Sequence, residues 1–327
     1  MKAWLRLVRW PNLLIIVLTM VLMRFGVIDS ILSRSAVTLY SSPGMNVPMH
    51  LQMPMIDFIL LIMATVMIAA GGYVINDYFD IKTDLINRGR VIVGTSVPRR
   101  QAMMWHNLLN VAGVLLGFYI SWKAGYIWIG VLFLMVSGLL YFYSASYKRQ
   151  FLIGNVIVAI LTAMVPMLVV LYEGPYLFGY YAINAVRIPG IAIIFWWVGG
   201  FAAFAFITTL TREIIKDIED FEGDVAYGRN TLPVVIGILT TKIVAICLIV
   251  ITIAMLALAW FFFVKDYVTL IYLSATVVAP LLFVVYQVIV SKSRKQLHSA
   301  SRLMKIIMLA GILYSVVVRI LLTNNLV

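Results

Sequence analysis

The sequence predicts an all-α, polytopic membrane protein with nine transmembrane helices, and three observations predict it. Of 327 residues, 63% are hydrophobic and only 12% are charged, with a mean hydropathy of +1.03. Soluble domains carry roughly 25% charged residues. Apolar runs of bilayer length, about 20 residues, recur near 12–30, 57–76, 104–122, 125–143, 152–172, 188–210, 242–264, 267–289 and 304–323. Finally, the 25 Lys and Arg residues are unevenly placed. With the N-terminus inside, only Arg34, Lys123, Arg187 and Lys265 fall in outer segments, and Arg24 and Arg319 lie within spans. All the others fall in inner segments. That bias sets the N-terminus in the cytoplasm and the C-terminus outside, which needs an odd number of spans. The plasma (inner) membrane of a prokaryote is the expected location.

The chain opens "MKAWLRLVRWPNLLIIVLTMVLM". Basic residues before an apolar run resemble a signal peptide, but no small-x-small cleavage site follows, so we read a retained first span. Pro11, Pro166, Pro189 and Pro280 lie in or near spans, where neighbouring helices can satisfy the freed carbonyls. Arg24 and Arg319 sit near outer span ends and are expected to snorkel to the headgroups. The outer segments 31–56 and 173–187 are polar, hold prolines, and offer no readable chemistry. The formal charge of +12 reflects topology and anionic lipid. No basic segment interleaved with exposed aromatics suggests nucleic acid. The lone Cys247 permits no internal disulfide.

Two inner segments stand apart. "NDYFDIKTDLINR" (76–88) follows the second span, and "REIIKDIEDFEGDVAYGRNTLPV" (212–234) follows the sixth. Asp77, Asp80 and Asp84 share the pattern D-x-x-D-x-x-x-D with Asp217, Asp220 and Asp224, each 140 residues after its counterpart. On a continuous helix the outer aspartates of a triplet lie about 20° apart and the middle one about 60° away, giving one acidic face. Asn76, one turn before Asp80, joins it. Glu219 and Glu222 fall off that face and read as solvated. Spans two to five and six to nine therefore read as two pseudo-repeated four-helix halves, about 57–172 and 188–323. Span one is extra, and the whole chain is a single domain.

Six carboxylates converging at a membrane edge would repel one another and stay ionised only with bound cations. Hard carboxylate oxygens suit Mg²⁺, which takes a few carboxylates, waters and substrate phosphates. Simple capping fits poorly, because the helix dipole disfavours anions at C-terminal ends. A diphosphate would also need cationic donors. Arg88, Lys148, Arg212 and Lys216 are the candidates. Arg149 and Lys148 both also fit as positive-inside anchors.

These motifs resemble the UbiA superfamily of intramembrane prenyltransferases. Asn76, Asp77, Asp80 and Asp84 match its N-D-x-x-D-x-x-x-D. Asp217, Asp220, Gly223 and Asp224 match D-x-x-D-x-x-G-D, with Gly228 and Thr231–Val234 matching G-x-x-T-L-P-V. Tyr143, Lys148, Arg149, Gly154 and Asn155 match Y-x-x-x-x-K-R…G-N, and "RWPNLL" resembles the family's first-span entry. The chain departs from the family at "NRGRVIVG", which lacks the two prolines of N-x-P-x-R-P. Asn87 and Arg90 are the residues that still correspond.

The resemblance implies Mg²⁺ on both aspartate motifs, a polyprenyl diphosphate held there, and a cavity lined by Asn12, Tyr143, Tyr147 and Asn155. The diphosphate ionises toward an allylic cation that a lipophilic acceptor attacks. "REIIKDIEDFEGD" with "RWPNLL" looks most like the subgroup acting on geranylgeranylglyceryl phosphate. An aromatic quinone precursor is the alternative acceptor. A transporter is the alternative of another class, but transporters place charge mid-span, and here it sits at the rim. No protein partner is expected.

Overall fold

The computed structural model describes residues 2–41, 44–88, 91–186 and 190–324. Among them, nine helices are long and apolar enough to cross a membrane. They are α1 (Trp10–Arg34), α2 (Met55–Phe79), α3 (Arg99–Lys123), α4 (Ile127–Ala145), α5 (Ile153–Asn184), α6 (Ala192–Glu219), α7 (Ile238–Val264), α8 (Tyr267–Val290) and α9 (Arg294–Thr323). Every expected apolar run lies largely on one of them. A two-stranded antiparallel hairpin, β1 (Ala36–Thr38) and β2 (Asn46–Pro48), follows α1.

Helix α2 packs along α3, and α5 packs along α6. Helix α6 also packs on α7 and α9, while α1 touches α2, α5, α6 and α9. One apolar core joins α1 to α6 around Met20, Phe58, Leu61 and Tyr172. A second joins α6 to α9 around Ile214, Ile249, Leu281 and Met304. The single helix α1 thus stands between two helical groups and bridges them.

Three expectations are corrected. Arg24 does not snorkel: it is 3% exposed and pairs with buried Glu173. It also donates to the Met53 carbonyl and stacks over the Phe58 ring, 4.5 Å from its centroid. The backbone N–H groups of Gln52 and Met53 donate to the same Glu173 carboxylate, at 2.6 and 2.9 Å. With its charge answered this way, Glu173 stays inside α5, so the helix runs through the expected outer segment to Asn184. Removing either member of such a buried pair would strand the other charge.

The second correction concerns the aspartates, which do not lie on continuous helices. Asp80 caps α2 with φ −90° and ψ 2°, and Asp220 caps α6 with φ −94° and ψ 7°. A ψ near zero leaves the α-helical range, so each motif bends at its middle aspartate. A short helix then follows each, Ile81–Arg88 and Phe221–Ala226. The third correction is Glu219, which is not solvated. Its side chain is 13% exposed and pairs with His298 at 2.8 Å.

Candidate functional site

The bend places one aspartate of each triplet on a long helix, one at the cap and one on a short helix. The backbone matches between motifs. The Asp80 N–H donates to the Asn76 carbonyl and the Asp84 N–H to the Asp80 carbonyl, at 3.0 and 2.8 Å. The Asp220 N–H donates to the Lys216 carbonyl and the Asp224 N–H to the Asp220 carbonyl, at 2.8 and 3.1 Å.

Basic side chains meet the first motif. Lys148 lies in the turn between α4 and α5, with its ammonium 2.9 Å from Asp80 Oδ1 and 3.4 Å from Asn76 Oδ1. Gly154 permits that position, because a Cβ there would stand 2.7 Å from the Lys148 Cα. Arg9 reaches Asp77 Oδ1 at 2.8 Å, its guanidinium over the Tyr73 ring. Its backbone is left-handed, with φ 51°, a conformation few non-glycine residues adopt. Arg149 stays exposed, and its carbonyl accepts from the Asn230 N–H at 2.9 Å.

Arg229 ties the two motifs together. It donates to Asp80 Oδ1 and to the Thr83 hydroxyl, both at 2.8 Å, and lies 3.5 Å from Asp224 Oδ1. Gly228, with φ +62°, makes the turn that brings it back. Asp224 also accepts from the Thr231 hydroxyl at 3.0 Å. Asp217 accepts from the Asn155 amide at 2.7 Å, and Asp220 pairs with Arg294 at 3.0 Å. Asn155, expected to line the cavity, thus lies beside the second motif.

Electrostatics separate the two motifs. Burial pushes the Asp80 carboxyl up, but Lys148 and Arg229 outweigh it and hold the group down at about 2. Burial lowers Lys148 despite Asp80. Burial dominates at Asp224, aided by Asp220 and Asp80, and pushes it up to about 6 against Arg229 and Thr231.

The remaining expected residues divide. Asp84 stands in the first turn of the helix Ile81–Arg88. The side chains of Asn87 and Arg88, and all of Arg90, lie outside the described residues. Tyr143 lies within electrostatic reach of Asp80, Glu213 and Asp217. Tyr147 packs against the Phe142 ring, 6.3 Å between centroids. Arg212 and Lys216 turn to Glu213, at 2.5 and 3.2 Å. Asn12 accepts from the Lys305 ammonium at 3.4 Å.

Arg9, Glu213, Arg229 and Lys305 escaped the sequence reading. Glu213 precedes Asp217 by one helical turn, and Arg9 and Arg229 stand inside the quoted "RWPNLL" and G-x-x-T-L-P-V stretches without an assigned role.

Among the described residues, no three His, Cys, Asp or Glu side chains gather as a metal cage. The donor set still fits Mg²⁺, because that ion takes one or two carboxylates and fills its shell with water and substrate phosphate oxygens. Asp217, held by the neutral Asn155 amide, is the carboxylate with the most to gain from a cation.

The profile of the UbiA prenyltransferase family matches residues 38–309. A digeranylgeranylglyceryl phosphate synthase of Methanosphaera stadtmanae is 33% identical over 248 residues, covering 75% of this chain and 81% of the relative. The solved structure of a digeranylgeranylglyceryl phosphate synthase superposes with a TM-score of 0.59 at 21% identity, covering 96% of this chain and 98% of the other. A UbiA homologue from Archaeoglobus fulgidus bound to DMAPP and Mg²⁺ gives 0.55 at 17% identity, covering 96% and 99%. By its matched length and its paired aspartate motifs, this integral membrane protein belongs to the UbiA prenyltransferase family.

Proposed function

We propose that the chain transfers a geranylgeranyl group from its diphosphate to geranylgeranylglyceryl phosphate, at the cytoplasmic face of the membrane. The observation that carries the prenyl transfer is the joining of both aspartate motifs at one end of the helices through Arg229. The Methanosphaera relative, a digeranylgeranylglyceryl phosphate synthase, supports the acceptor. The distribution of Lys and Arg supports an inner N-terminus, an outer C-terminus and an inner site. The matched bends at Asp80 and Asp220 support a single domain of two repeated halves, 57–172 and 188–323, with α1 added.

Asn76, Asp77, Asp80, Asp84, Asp217, Asp220 and Asp224 are the residues that would hold Mg²⁺, as the Archaeoglobus homologue binds Mg²⁺ with DMAPP. When bound, Mg²⁺ neutralises the diphosphate and favours its departure. Lys148 and Arg229, beside Asp80, donate to the same leaving group. The C1–O bond of the prenyl diphosphate breaks and its electron pair stays on the diphosphate. The acceptor hydroxyl oxygen bonds to C1, and its proton leaves with the diphosphate. The Tyr143 ring, within electrostatic reach of Asp80 and Asp217, would steady the allylic cation. The apolar surroundings keep out water that would quench that cation.

The test offers purified protein labelled geranylgeranyl diphosphate and Mg²⁺ with geranylgeranylglyceryl phosphate, dihydroxynaphthoate or hydroxybenzoate. Labelled product is expected with the glyceryl phosphate alone. Product with an aromatic acid instead would replace the acceptor, and none with any would overturn prenyl transfer.

A further inference from the structure

One charged cluster is left over by this mechanism. On α6, Arg212 and Lys216 flank Glu213 at 2.5 and 3.2 Å. Lys305 of α9 lies within electrostatic reach of all three, and of Arg9, while its ammonium sits 3.4 Å from Asn12 on α1. Arg9 is already paired with Asp77 and Asp217 is held by Asn155, so neither settles the account. Two cations therefore share one carboxylate, with the Lys305 ammonium in electrostatic reach of them. The Arg212 Nε–H is buried and has no hydrogen-bond partner. A guanidinium and two ammoniums with one carboxylate among their charges, at the edge of an apolar slab, leave an excess of about two positive charges.

We propose that Arg212, Lys216 and Lys305 bind the phosphate of the acceptor lipid, with Glu213 holding the first two in place until it arrives. This rests on the acceptor proposed above. A phosphomonoester brings about −1.5 to −2 charges at pH 7 and three acceptor oxygens, the charge and the hydrogen-bond acceptors that this cluster lacks. An aromatic carboxylate brings one charge and two oxygens. The position also suits the reaction. Glu213 precedes Asp217 by four residues on one helix face, about 6 Å along the axis. A phosphate held there sets the glycerol, with its one free hydroxyl a few bonds away, beside the diphosphate site. Lys305 is exposed at the seam between α1 and α9, so a lipid headgroup can reach it. The sequence alone assigned Arg212 and Lys216 to the diphosphate; their turn toward Glu213 separates two anion sites on one helix.

The experiment measures steady-state KM for each substrate in wild type, Lys305→Ala and Lys305→Arg. The glyceryl phosphate lipid and the same lipid without its phosphate serve as acceptors. Lys305→Ala should raise KM for the phosphorylated acceptor about 10- to 100-fold, the weight of a hydrogen bond to a charged group. KM for geranylgeranyl diphosphate should stay within about twofold, and Lys305→Arg should recover most of the loss. The dephosphorylated acceptor should be used equally poorly by wild type and variant. An unchanged acceptor KM, or an equal rise for both substrates, would overturn the phosphate site alone. A wild-type protein that ignores the glyceryl phosphate lipid sinks the acceptor reading beneath it.

Discussion

In the first aspartate motif Asp77 and Asp80 meet cations at close range; in the second the cations stand farther off or more exposed, and Asp217 meets a neutral amide. Asp77 faces Arg9, and Asp80 faces Lys148 and Arg229. Asp217 faces the Asn155 amide, and Asp224 faces the Thr231 hydroxyl with Arg229 farther off. The backbones of the two motifs match, bend for bend, so geometry does not create this contrast. Counter-charge does. Asp77 and Asp80 meet the protein's own cations at 2.8–2.9 Å, whereas in the second motif Arg229 stands 3.5 Å from Asp224, Arg294 is 39% exposed, and Asp217 meets a neutral amide. On the proposed mechanism, both motifs would hold metal, and the first would also set Lys148 and Arg229 beside the leaving group.

The largest test of the contrast is Asp80→Asn against Asp217→Asn. Both should lower the transfer rate by about 10²- to 10³-fold, the usual loss when a preorganised charge at a reacting centre goes. They should differ in recovery. Excess Mg²⁺ should restore part of the Asp217→Asn rate, because an amide oxygen remains a weak ligand. It should help Asp80→Asn less, because Lys148 and Arg229 also lose their shared partner there. Thermal unfolding in detergent should show Asp80→Asn as the less stable variant, since it takes the carboxylate from buried Lys148 and one of two from Arg229. Equal Mg²⁺ rescue with equal unfolding temperatures would erase the distinction.

A smaller effect should follow from pH. Burial, then Asp220 and Asp80, push Asp224 up to about 6, while Lys148 and Arg229 hold Asp80 at about 2 against burial. Lowering the pH from 7 to 5 therefore protonates Asp224 and leaves Asp80 ionised. Protons then compete with metal at the second motif only. The Mg²⁺ concentration for half-maximal rate should rise roughly tenfold over that range, and Asp224→Asn should flatten the rise. A wild-type Mg²⁺ requirement that ignores pH would place the metal elsewhere.

The spans were legible because a bilayer demands a fixed apolar length, and their charge asymmetry was legible because topology writes it. The aspartates were legible because carboxylates beside apolar runs are rare and these repeat at one spacing. The bends at Asp80 and Asp220 were not, since nothing in the residue pattern marks a one-residue break. Arg9, Arg229 and Lys305 were hidden for a different reason. An inner-segment cation already has an explanation in topology, so its sequence position cannot reveal a second role. Lys148 escaped that ambiguity through its motif. Arg24 misled because its partner Glu173 lies far along the chain, in a segment that reads as a loop. Once the pair forms, the loop is helix.

The finest test asks whether exposure, rather than the mere presence of a pair, sets a contact's worth. Arg294 and Asp220 meet at 3.0 Å, but their side chains are 39% and 24% exposed. Such a pair is worth about 0–1 kcal/mol, so Arg294→Ala should change the transfer rate by no more than a few-fold. Arg229 is 13% exposed and serves two aspartates and a threonine. Arg229→Ala should cost about 10- to 100-fold, as expected for lost hydrogen bonds to charged groups. Rates from parallel preparations at saturating Mg²⁺ would compare them. If the two substitutions cost the same, Asp220 is held as firmly as Asp80, and the second motif is no longer the one with the weaker counter-charge.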